Sequence, residues 1–282
     1  MIDTGFLDQL ARFSLVVHKR VTSTYSGPRR SIATGRGITF KEHRIYAPGD
    51  DFRSIDWKVF ARTDDLYVKT YEEERNLIVH IVVDGSSSMD FGRPITKFDY
   101  AAMLGVGFAY LAMKKNDKFM FSTFSESLDV FQPRRGMSQL AAMVRHLNSI
   151  KPKGLSKMRD SMSLYKKSIG SRAMIVLVSD FLINIEEIRE ALYMLGNHEI
   201  KILQVLDPVE KDLKFEGDFK LTDSETRDKL KTYISPRLRL HYQKMLDNHS
   251  AQIEETCNNL GMDFHLITTD TPIFDAFYKI LE

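Results

Sequence analysis

The 282-residue sequence predicts an α/β fold with a doubly wound, mostly parallel sheet and a small accessory β module. Two observations lead to this prediction: strands that are apolar along their whole length, and helix patterns between them. An apolar run such as LIVHIVVD (77–84) has no polar face, so helices must cover both of its sides, as they do in parallel sheets. Similar buried strands are predicted at 173–180 and 199–207, with shorter ones at 118–124 and 263–269.

Helices are predicted where apolar residues recur every three or four positions. Near the N-terminus, Phe6, Leu10, Phe13 and Val17 follow this spacing and predict an amphipathic helix packed on the body of the protein. Further helices are predicted at about 96–114, 138–150, 156–169, 183–195, 242–261 and 271–282.

The chain is expected to form two domains. Residues 1–75 hold the N-terminal helix and a β-rich module, in which β-prone pieces alternate with turn-forming PGDD and RTDD. Residues 76–282 form the α/β domain, and a β-hairpin around Asp223–Ser224 is predicted as an insertion at about 208–241.

Composition narrows the classes of function. Lys and Arg total 40 and Asp and Glu total 38, and a net charge of +2 argues against a nucleic-acid binder held by bulk charge. The single cysteine, Cys257, rules out a disulfide framework, a Cys-based zinc site and an iron–sulfur cluster within one chain. The longest apolar run, 101–113, is too short for a membrane span, and no signal peptide is visible. A soluble cytoplasmic protein is expected.

Oxygen-bearing side chains follow two of the predicted strands. The first strand ends in Asp84, with Ser86 and Ser88 close behind, and the strand 173–180 ends in Asp180. Ligands of doubly wound sheets bind beyond the carboxyl ends of the strands. An all-oxygen set favours Mg²⁺, Mn²⁺ or Ca²⁺ over softer metals. Alternatively, the aspartate and serines simply cap the turn after the strand.

The spacing D-x-S-x-S resembles the metal-ion-dependent adhesion site (MIDAS) of von Willebrand factor A domains. That resemblance implies a Thr-like hydroxyl from a later loop, for which Ser156 is the candidate and Ser138 a weaker one. It also implies that a partner's Asp or Glu fills an open coordination position. The metal ligands predicted in this way are Asp84, Ser86, Ser88, Ser156 and Asp180.

A second resemblance covers nearly the whole chain. The segment 46–57, YAPGDDFRSIDW, followed by Ala61-Arg62, is similar to the signature of the bacterial and archaeal DUF58 family, whose function is unknown. The flanking G-x-x-F-x-E-x-R (37–44) and YEEERN (71–76) fit as well. Members of that family typically carry a von Willebrand factor A-like domain after the signature.

The signature has three physical interpretations. Its arginines are expected to form guanidinium–carboxylate pairs with its aspartates and to fix the module, with Trp57 packed against the α/β body. Alternatively it is a partner-docking surface, and a metal site at Asp50 and Asp51 is a less favoured third reading. The residues concerned are Tyr46, Pro48, Gly49, Asp50, Asp51, Arg53, Asp56, Trp57 and Arg62, with Arg44 just before them.

The preferred functional hypothesis is a non-enzymatic interaction or adaptor protein that binds a divalent cation. The DUF58 resemblance implies a MoxR-type AAA+ ATPase as partner, in the assembly or remodelling of a client protein that the sequence does not identify. A metal-dependent hydrolase or phosphotransferase using Asp84 is the alternative. Two features count against it: position 82 holds a valine and not a second aspartate, and no positioned lysine is visible. A scaffold with a vestigial site is a third reading.

Overall fold

The computed structural model describes residues 2, 5–13, 34–35, 39–72, 77–170, 173–196, 198–222 and 229–281. The chain divides into an α/β unit, Met1–Val16 with Leu77–Glu282, and a small unit, Val17–Asn76. The helices and strands of the described residues are, in chain order, α1 (residues 5–13), β1 (Thr34–Gly35), β2 (Thr39–Ile45), α2 (Trp57–Thr63), β3 (Tyr67–Glu72), β4 (Ile78–Asp84), α3 (Lys97–Lys114), β5 (Lys118–Phe124), β6 (Leu128–Val130), α4 (Met137–Ser149), α5 (Met158–Tyr165), β7 (Ala173–Ser179), α6 (Ile185–Leu195), β8 (Glu199–Leu206), α7 (Pro208–Asp212), β9 (Gly217–Thr222), β10 (Lys229–Ile234), α8 (Pro236–Asn259), β11 (Asp263–Thr268) and α9 (Ile273–Leu281).

The sheet of the α/β unit has six strands in the order β11-β8-β7-β4-β5-β6. Five of them run parallel, and the short edge strand β6 is antiparallel to β5. The chain leaves β4 toward β5 and returns to build β7 on the other side of β4. The carboxyl ends of β4 and β7 therefore flank the topological switch point of the sheet, where doubly wound folds bind ligands. The predicted α/β class and mostly parallel sheet are confirmed.

Burial explains why the strands are apolar throughout. From Val79 onward β4 is buried, as are nearly all positions of β7 and β8. Helix α3 is buried along most of its length, and its close fit depends on Gly107. A β-carbon built on Gly107 would lie 1.9 Å from the ring of Phe277 in α9, so a larger residue has no room there.

Helix α1 belongs to the α/β unit, whereas the sequence analysis grouped it with the small module. Phe13 packs on Phe274 and Tyr278 of α9, with ring centroids 5.1 and 4.9 Å apart. The backbone N–H of Ile2 donates to Asn148 Oδ1 at 3.0 Å. The amphipathic face of α1 is buried against the α/β core, as its spacing predicts, so the small unit begins after it.

The small unit contains an antiparallel sheet, β1-β3-β2, and one helix that the sequence analysis did not predict. This helix, α2, begins at the N-cap Asp56, whose Oδ1 accepts from Lys58 N at 3.0 Å. Aspartate is a favoured N-cap, so Asp56 followed by W-K-V-F-A-R was the available signal. Residues 36–38 and 73–76, which carry part of the predicted signature, lie outside the described residues.

The predicted hairpin is present as β9 and β10, which pair from Thr222 opposite Lys229 to Gly217 opposite Ile234. The expected turn residues, Asp223 and Ser224, lie outside the described part of the chain. Among the residues that the structure describes, no helix has the length and apolar character required to span a membrane.

Candidate metal centre

Asp84 lies at the carboxyl end of β4 with its side chain fully buried. Its Oδ1 accepts a hydrogen bond from the backbone N–H of Ser86 at 2.8 Å. Its Oδ2 accepts from the hydroxyls of Ser179, at 2.7 Å, and Ser156, at 3.1 Å. These three donors fix the carboxylate in place. Among the described residues, no Lys, Arg or His forms a salt bridge with it.

Ser86 and Ser88 are placed together by the turn that follows β4. Ser86 is buried, and its hydroxyl lies 3.1 Å from that of Ser88. Adjacent ligands of an octahedral Mg²⁺, each about 2.1 Å from the ion, are separated by about 3 Å. The hydroxyl pair therefore has the spacing of two neighbouring ligand positions.

Ser156 is the hydroxyl that the later loop brings to this site. The loop is fixed by backbone hydrogen bonds from Ser87 N to Gly154 O and from Lys153 N to Gly85 O, both 2.9 Å long. Ser138, the weaker candidate, lies in the first turn of α4 and is exposed. The N-cap of α4 is Gly136. The structure thus brings Ser156, and not Ser138, to Asp84.

Asp180 follows β7 and is also buried, but its partners differ from those of Asp84. Its Oδ2 accepts from Lys97 Nζ at 2.7 Å, and its Oδ1 accepts from Leu182 N at 3.1 Å. Phe181, the residue between Asp180 and Leu182, has φ +54°, a left-handed conformation that a bulky side chain rarely adopts. Ser179 Oγ and Asp180 Oδ1 accept from the two N–H groups of this turn and hold it.

Lys97 bears on the hydrolase alternative, for which the sequence indicates no positioned lysine. The structure places the Lys97 ammonium against Asp180 and not against Asp84. This ammonium is fully buried and also donates to Glu210 Oε1 at 2.7 Å. Burial lowers the pKa of Lys97, but the charges of Asp180 and Glu210 outweigh burial, so the pKa is raised. Lys97 therefore remains an ammonium between two carboxylates.

The electrostatics of the two aspartates are linked. Burial, followed by the negative charge of Asp180, raises the pKa of Asp84 to about 6. The hydrogen bonds from Ser179 and Ser86 act in the opposite direction. A divalent cation beside Asp84 would lower the pKa of Asp84, because its positive charge favours the ionised carboxylate.

The residues present fit a hard divalent cation. In the described part of the chain, His, Cys, Asp and Glu do not gather in groups of three or more that could hold a metal. The candidate donors are the hydroxyls of Ser86, Ser88 and Ser156 with the two aspartates, and oxygen donors of this kind suit Mg²⁺ better than zinc. Of the two carboxylates, Asp180 pairs with the Lys97 ammonium, whereas Asp84 forms no salt bridge with a described Lys, Arg or His.

Two functional residues were missed from the sequence. Ser179 ends β7, but no local pattern predicts that its hydroxyl donates to Asp84, because its orientation depends on the turn at Phe181. Lys97 carries a usable signal: it is the first residue of a mostly apolar helix, where the helix dipole disfavours a cation. A lysine at that position needs carboxylates nearby, and the structure supplies them.

The signature of the small unit is held by a different network from the one expected. Arg44 Nη2 donates to Asp50 Oδ1 at 2.7 Å, which confirms one arginine–aspartate pair. Asp56 instead binds His43, at 2.9 Å, and Lys69, at 3.3 Å.

The remaining signature residues fix turns or are exposed. Arg62 Nε donates to the carbonyl oxygen of Lys58 at 3.3 Å rather than to an aspartate. Asp51 Oδ1 accepts from the backbone N–H of Arg53 at 3.0 Å. Trp57 is 59% exposed and makes an edge-on contact with Phe60, with ring centroids 6.0 Å apart. The turn before them includes Tyr46, Pro48 and Gly49, and Gly49 has φ +107°.

Fold and site together define an α/β protein of the doubly wound class, with a polar site at the switch point of its sheet. The model of the family "Protein of unknown function DUF58" matches residues 42–252, and the chain belongs to this family. The chain is 27% identical over 267 residues to the uncharacterized protein Rv1480 of Mycobacterium tuberculosis, covering 93% of this chain and 84% of that protein. It is 25% identical over 104 residues to the uncharacterized protein YeaD of Bacillus subtilis, covering 37% of this chain and 24% of that protein.

The chain is also similar to solved structures at low identity. One is the conserved hypothetical protein BatB from Bacteroides thetaiotaomicron, with 16% identity, a TM-score of 0.45 and coverage of 73% of this chain and 97% of that one. Another is an aerotolerance-related membrane protein from Bacteroides fragilis, with 17% identity, a TM-score of 0.46 and coverage of 73% and 96%. A third is the vWF domain of the pilus tip protein Mfa5 from Porphyromonas gingivalis, with 11% identity, a TM-score of 0.39 and coverage of 73% and 94%.

Proposed function

We propose that the α/β unit is a non-enzymatic binding module whose partner docks through a divalent cation, Mg²⁺ in the first instance. The observation that carries this proposal is the Ser86–Ser88 hydroxyl pair, 3.1 Å apart, beside a buried Asp84. Ser86, Ser88 and Asp84 would hold the cation, with Ser156 and Asp180 completing the set directly or through water. A side-chain carboxylate of the partner would fill an open position, since Mg²⁺ retains exchangeable ligands.

A cleft beside this site supports a protein partner. It has a volume of about 430 Å³ and opens at the carboxyl ends of β4 and β5, with Gly85 in its wall. Ser125 and Ser127 add hydroxyls, and the two positive charges of Lys151 and Lys153 exceed the single negative charge of Asp129. Polar and acidic residues next to the partner's metal-binding carboxylate could bind these hydroxyls and lysines.

The resemblance to the DUF58 family suggests the partner's class. We propose a MoxR-type AAA+ ATPase, with this chain acting as an adaptor in the assembly or remodelling of other proteins in the cytoplasm. The signature of the small unit, with Trp57 exposed, is the second surface available to such a partner.

The cation is tested by thermal unfolding in EDTA and in millimolar Mg²⁺ or Mn²⁺. A ligand at about 100 times its Kd stabilises by about 2.7 kcal/mol, which raises Tm by several degrees in a chain of this size. We expect this rise in wild type and its loss in Asp84→Ala. Asp90→Asn is the matched control, because Asp90 is an exposed carboxylate in the same turn. A wild type that does not respond to either metal would favour the vestigial scaffold.

The partner is tested by binding of the MoxR-type ATPase in Mg²⁺ and in EDTA. We expect binding that EDTA and Asp84→Ala both weaken. Binding that neither of them changes would exclude a cation-mediated contact.

A hydrolase is the second candidate function, and Lys97 is the observation in its favour, because phosphotransfer sites often use an ammonium. Against it, Asp84 is fully buried, and each of its oxygens already accepts a hydrogen bond, so it is poorly placed as a nucleophile. Mg²⁺-dependent turnover of p-nitrophenyl phosphate that is lost in Asp84→Asn would establish the hydrolase instead.

A further inference from the structure

We propose that Lys97 is the internal counterion of the candidate metal centre, and that it, rather than the divalent cation, neutralises Asp180. The contact between Lys97 and the two carboxylates of Asp180 and Glu210 is the observation behind this inference, which rests on the proposed cation site. Lys97 is then a positioning residue of the site. Of the two modes that the proposed function allows for Asp180, contact with the cation through water remains and direct ligation does not.

The geometry separates the two aspartates. Both oxygens of Asp180 are engaged, Oδ2 by the Lys97 ammonium and Oδ1 by Leu182 N. Its backbone oxygen accepts from Gln204 Nε2 at 2.9 Å, so side chain and main chain are both anchored. Asp84 accepts hydrogen bonds from an N–H and from serine hydroxyls, and no Lys, Arg or His of the described residues forms a salt bridge with it, so its charge is not compensated there. The cation is therefore attracted to the Asp84 side of the site.

The second carboxylate on Lys97 makes the ammonium difficult to displace. Glu210 Oε1 accepts from Nζ, while its Oε2 accepts from Asp207 N at 3.2 Å in the capping box of α7. The side chain of Lys97 is 0% exposed, so water cannot replace either contact. Breaking a buried pair leaves an uncompensated charge, a large penalty that opposes transfer of Asp180 to a metal ion.

The contacts also connect separate parts of the α/β unit. Lys97 is the first residue of α3, Asp180 follows β7, and Glu210 lies in α7 after β8. One buried ammonium therefore joins the turns after two neighbouring strands to the helix that follows β4.

A double-mutant comparison of Mn²⁺ affinity, followed by electron paramagnetic resonance of free Mn²⁺, tests the assignment. In Asp180→Asn, Lys97 loses one of its two anions and repels the cation, so we expect Mn²⁺ to bind about tenfold more weakly. In Lys97→Met/Asp180→Asn the pair is removed together, and we expect the affinity to return to within about threefold of wild type. If Asp180 ligated the cation, the double variant would remain as weak as Asp180→Asn.

The controls separate charge from folding. Lys201→Met removes another largely buried lysine of the same sheet, whose Nζ pairs with Asp263 at 2.6 Å near the start of β8. We expect it to leave Mn²⁺ affinity unchanged. Circular dichroism and unfolding in EDTA establish that each variant is folded. The double variant removes one charge of each sign, so it can still be compared with Asp180→Asn if Lys97→Met alone does not fold.

The outcomes distinguish this inference from the proposed function. A wild type that binds no Mn²⁺ overturns both. A wild type that binds Mn²⁺, with a double variant as weak as Asp180→Asn, overturns only the role of Lys97. Recovery in the double variant, with Lys201→Met unchanged, supports it.

Discussion

The two units of the chain use the same kinds of charged residue in opposite surroundings. In the α/β unit, the side chains of Lys97 and Asp180 are 0% and 2% exposed, and each charge has a fixed partner. In the small unit, those of Arg44 and Asp50 are 46% and 22% exposed, and water surrounds their contact. Buried ionic groups are expensive to leave unpaired, whereas exposed pairs add little to stability. The buried cluster should therefore be sensitive to substitution and the exposed one tolerant.

The largest expected effect is on stability at Lys97. Lys97→Met leaves the buried carboxylate of Asp180 and the partly buried carboxylate of Glu210 without a cation, and we expect a loss of about 3–5 kcal/mol. Arg44→Met removes the exposed partner of Asp50, and we expect a Tm within error of wild type. Urea unfolding of both variants in EDTA measures the difference. Equal losses would contradict the comparison between the two units.

The next effect is a pH dependence that comes from Asp84. Its pKa is about 6 in the folded protein, above its ordinary value of 3.8. Well below pH 3.8 the carboxyl is protonated in both states, and its contribution to stability is fully present. As the pH rises to 6, the unfolded state ionises first and the folded state is disfavoured, by up to about 3 kcal/mol.

Measurement of this pH dependence requires a variant without the carboxyl. Without metal, the free energy of unfolding of wild type should fall between pH 4 and 6 relative to that of Asp84→Asn. Asp90→Asn should retain the fall. Saturating Mg²⁺ should reduce it, because the cation favours ionised Asp84. Parallel pH profiles for wild type and Asp84→Asn would exclude the raised pKa.

Substitution of one glycine in each unit compares the effect of packing with the effect of backbone conformation. Gly107→Ala places a β-carbon against the ring of Phe277, and we expect a loss of about 1–3 kcal/mol or more from overpacking. Gly49 of the small unit has open space around it but a φ of +107°, so Gly49→Ala should cost about 1–2 kcal/mol through its backbone alone. A second substitution, Phe277→Leu, should partly restore Gly107→Ala. An equal effect of Phe277→Leu on Gly49→Ala would contradict this distinction.

The smallest expected effect on stability is at Trp57. Because its ring is 59% exposed, Trp57→Ala should change the free energy of unfolding by less than about 0.5 kcal/mol. Trp57 is the single tryptophan of the chain, so its fluorescence reports this position alone. We expect red-shifted emission that acrylamide quenches, and a blue shift when the MoxR-type ATPase binds. Emission typical of a buried indole in the free protein would contradict the exposed position.

Much of the α/β unit could be predicted because its signals are local and repeated. The residues of the apolar run at 77–84 face helices on both sides of the sheet, so each position of the strand is apolar. The apolar spacing of α3 in the same way marks the residues that this helix buries. Asp84, Ser86 and Ser88 could be predicted as a group because they lie within five residues of one strand end. The bounds of β4, β7 and β8 differ from the predicted strands by at most one residue.

The contacts of Lys97 with Asp180 and Glu210 could not be read in the same way. They join residues 83 and 113 positions apart in the chain, and no periodicity records which side chains meet across such distances. The pairing of Asp56 with His43 and Lys69, in place of an arginine, is a similar case. Residue type predicts that a buried carboxylate needs a partner, but not which partner reaches it.

The sequence by itself determined the α/β class, the doubly wound order of strands and helices, the family, and the strand-end aspartates and serines. Those properties follow from periodicity and from short-range spacing, which the backbone geometry of helices and strands makes regular. Only the tertiary structure decided that Asp180 is paired with an ammonium while Asp84 is not. The reason is physical: the charge balance of a buried site depends on distances across the fold, and those distances exist only when the sheet and its covering helices are assembled.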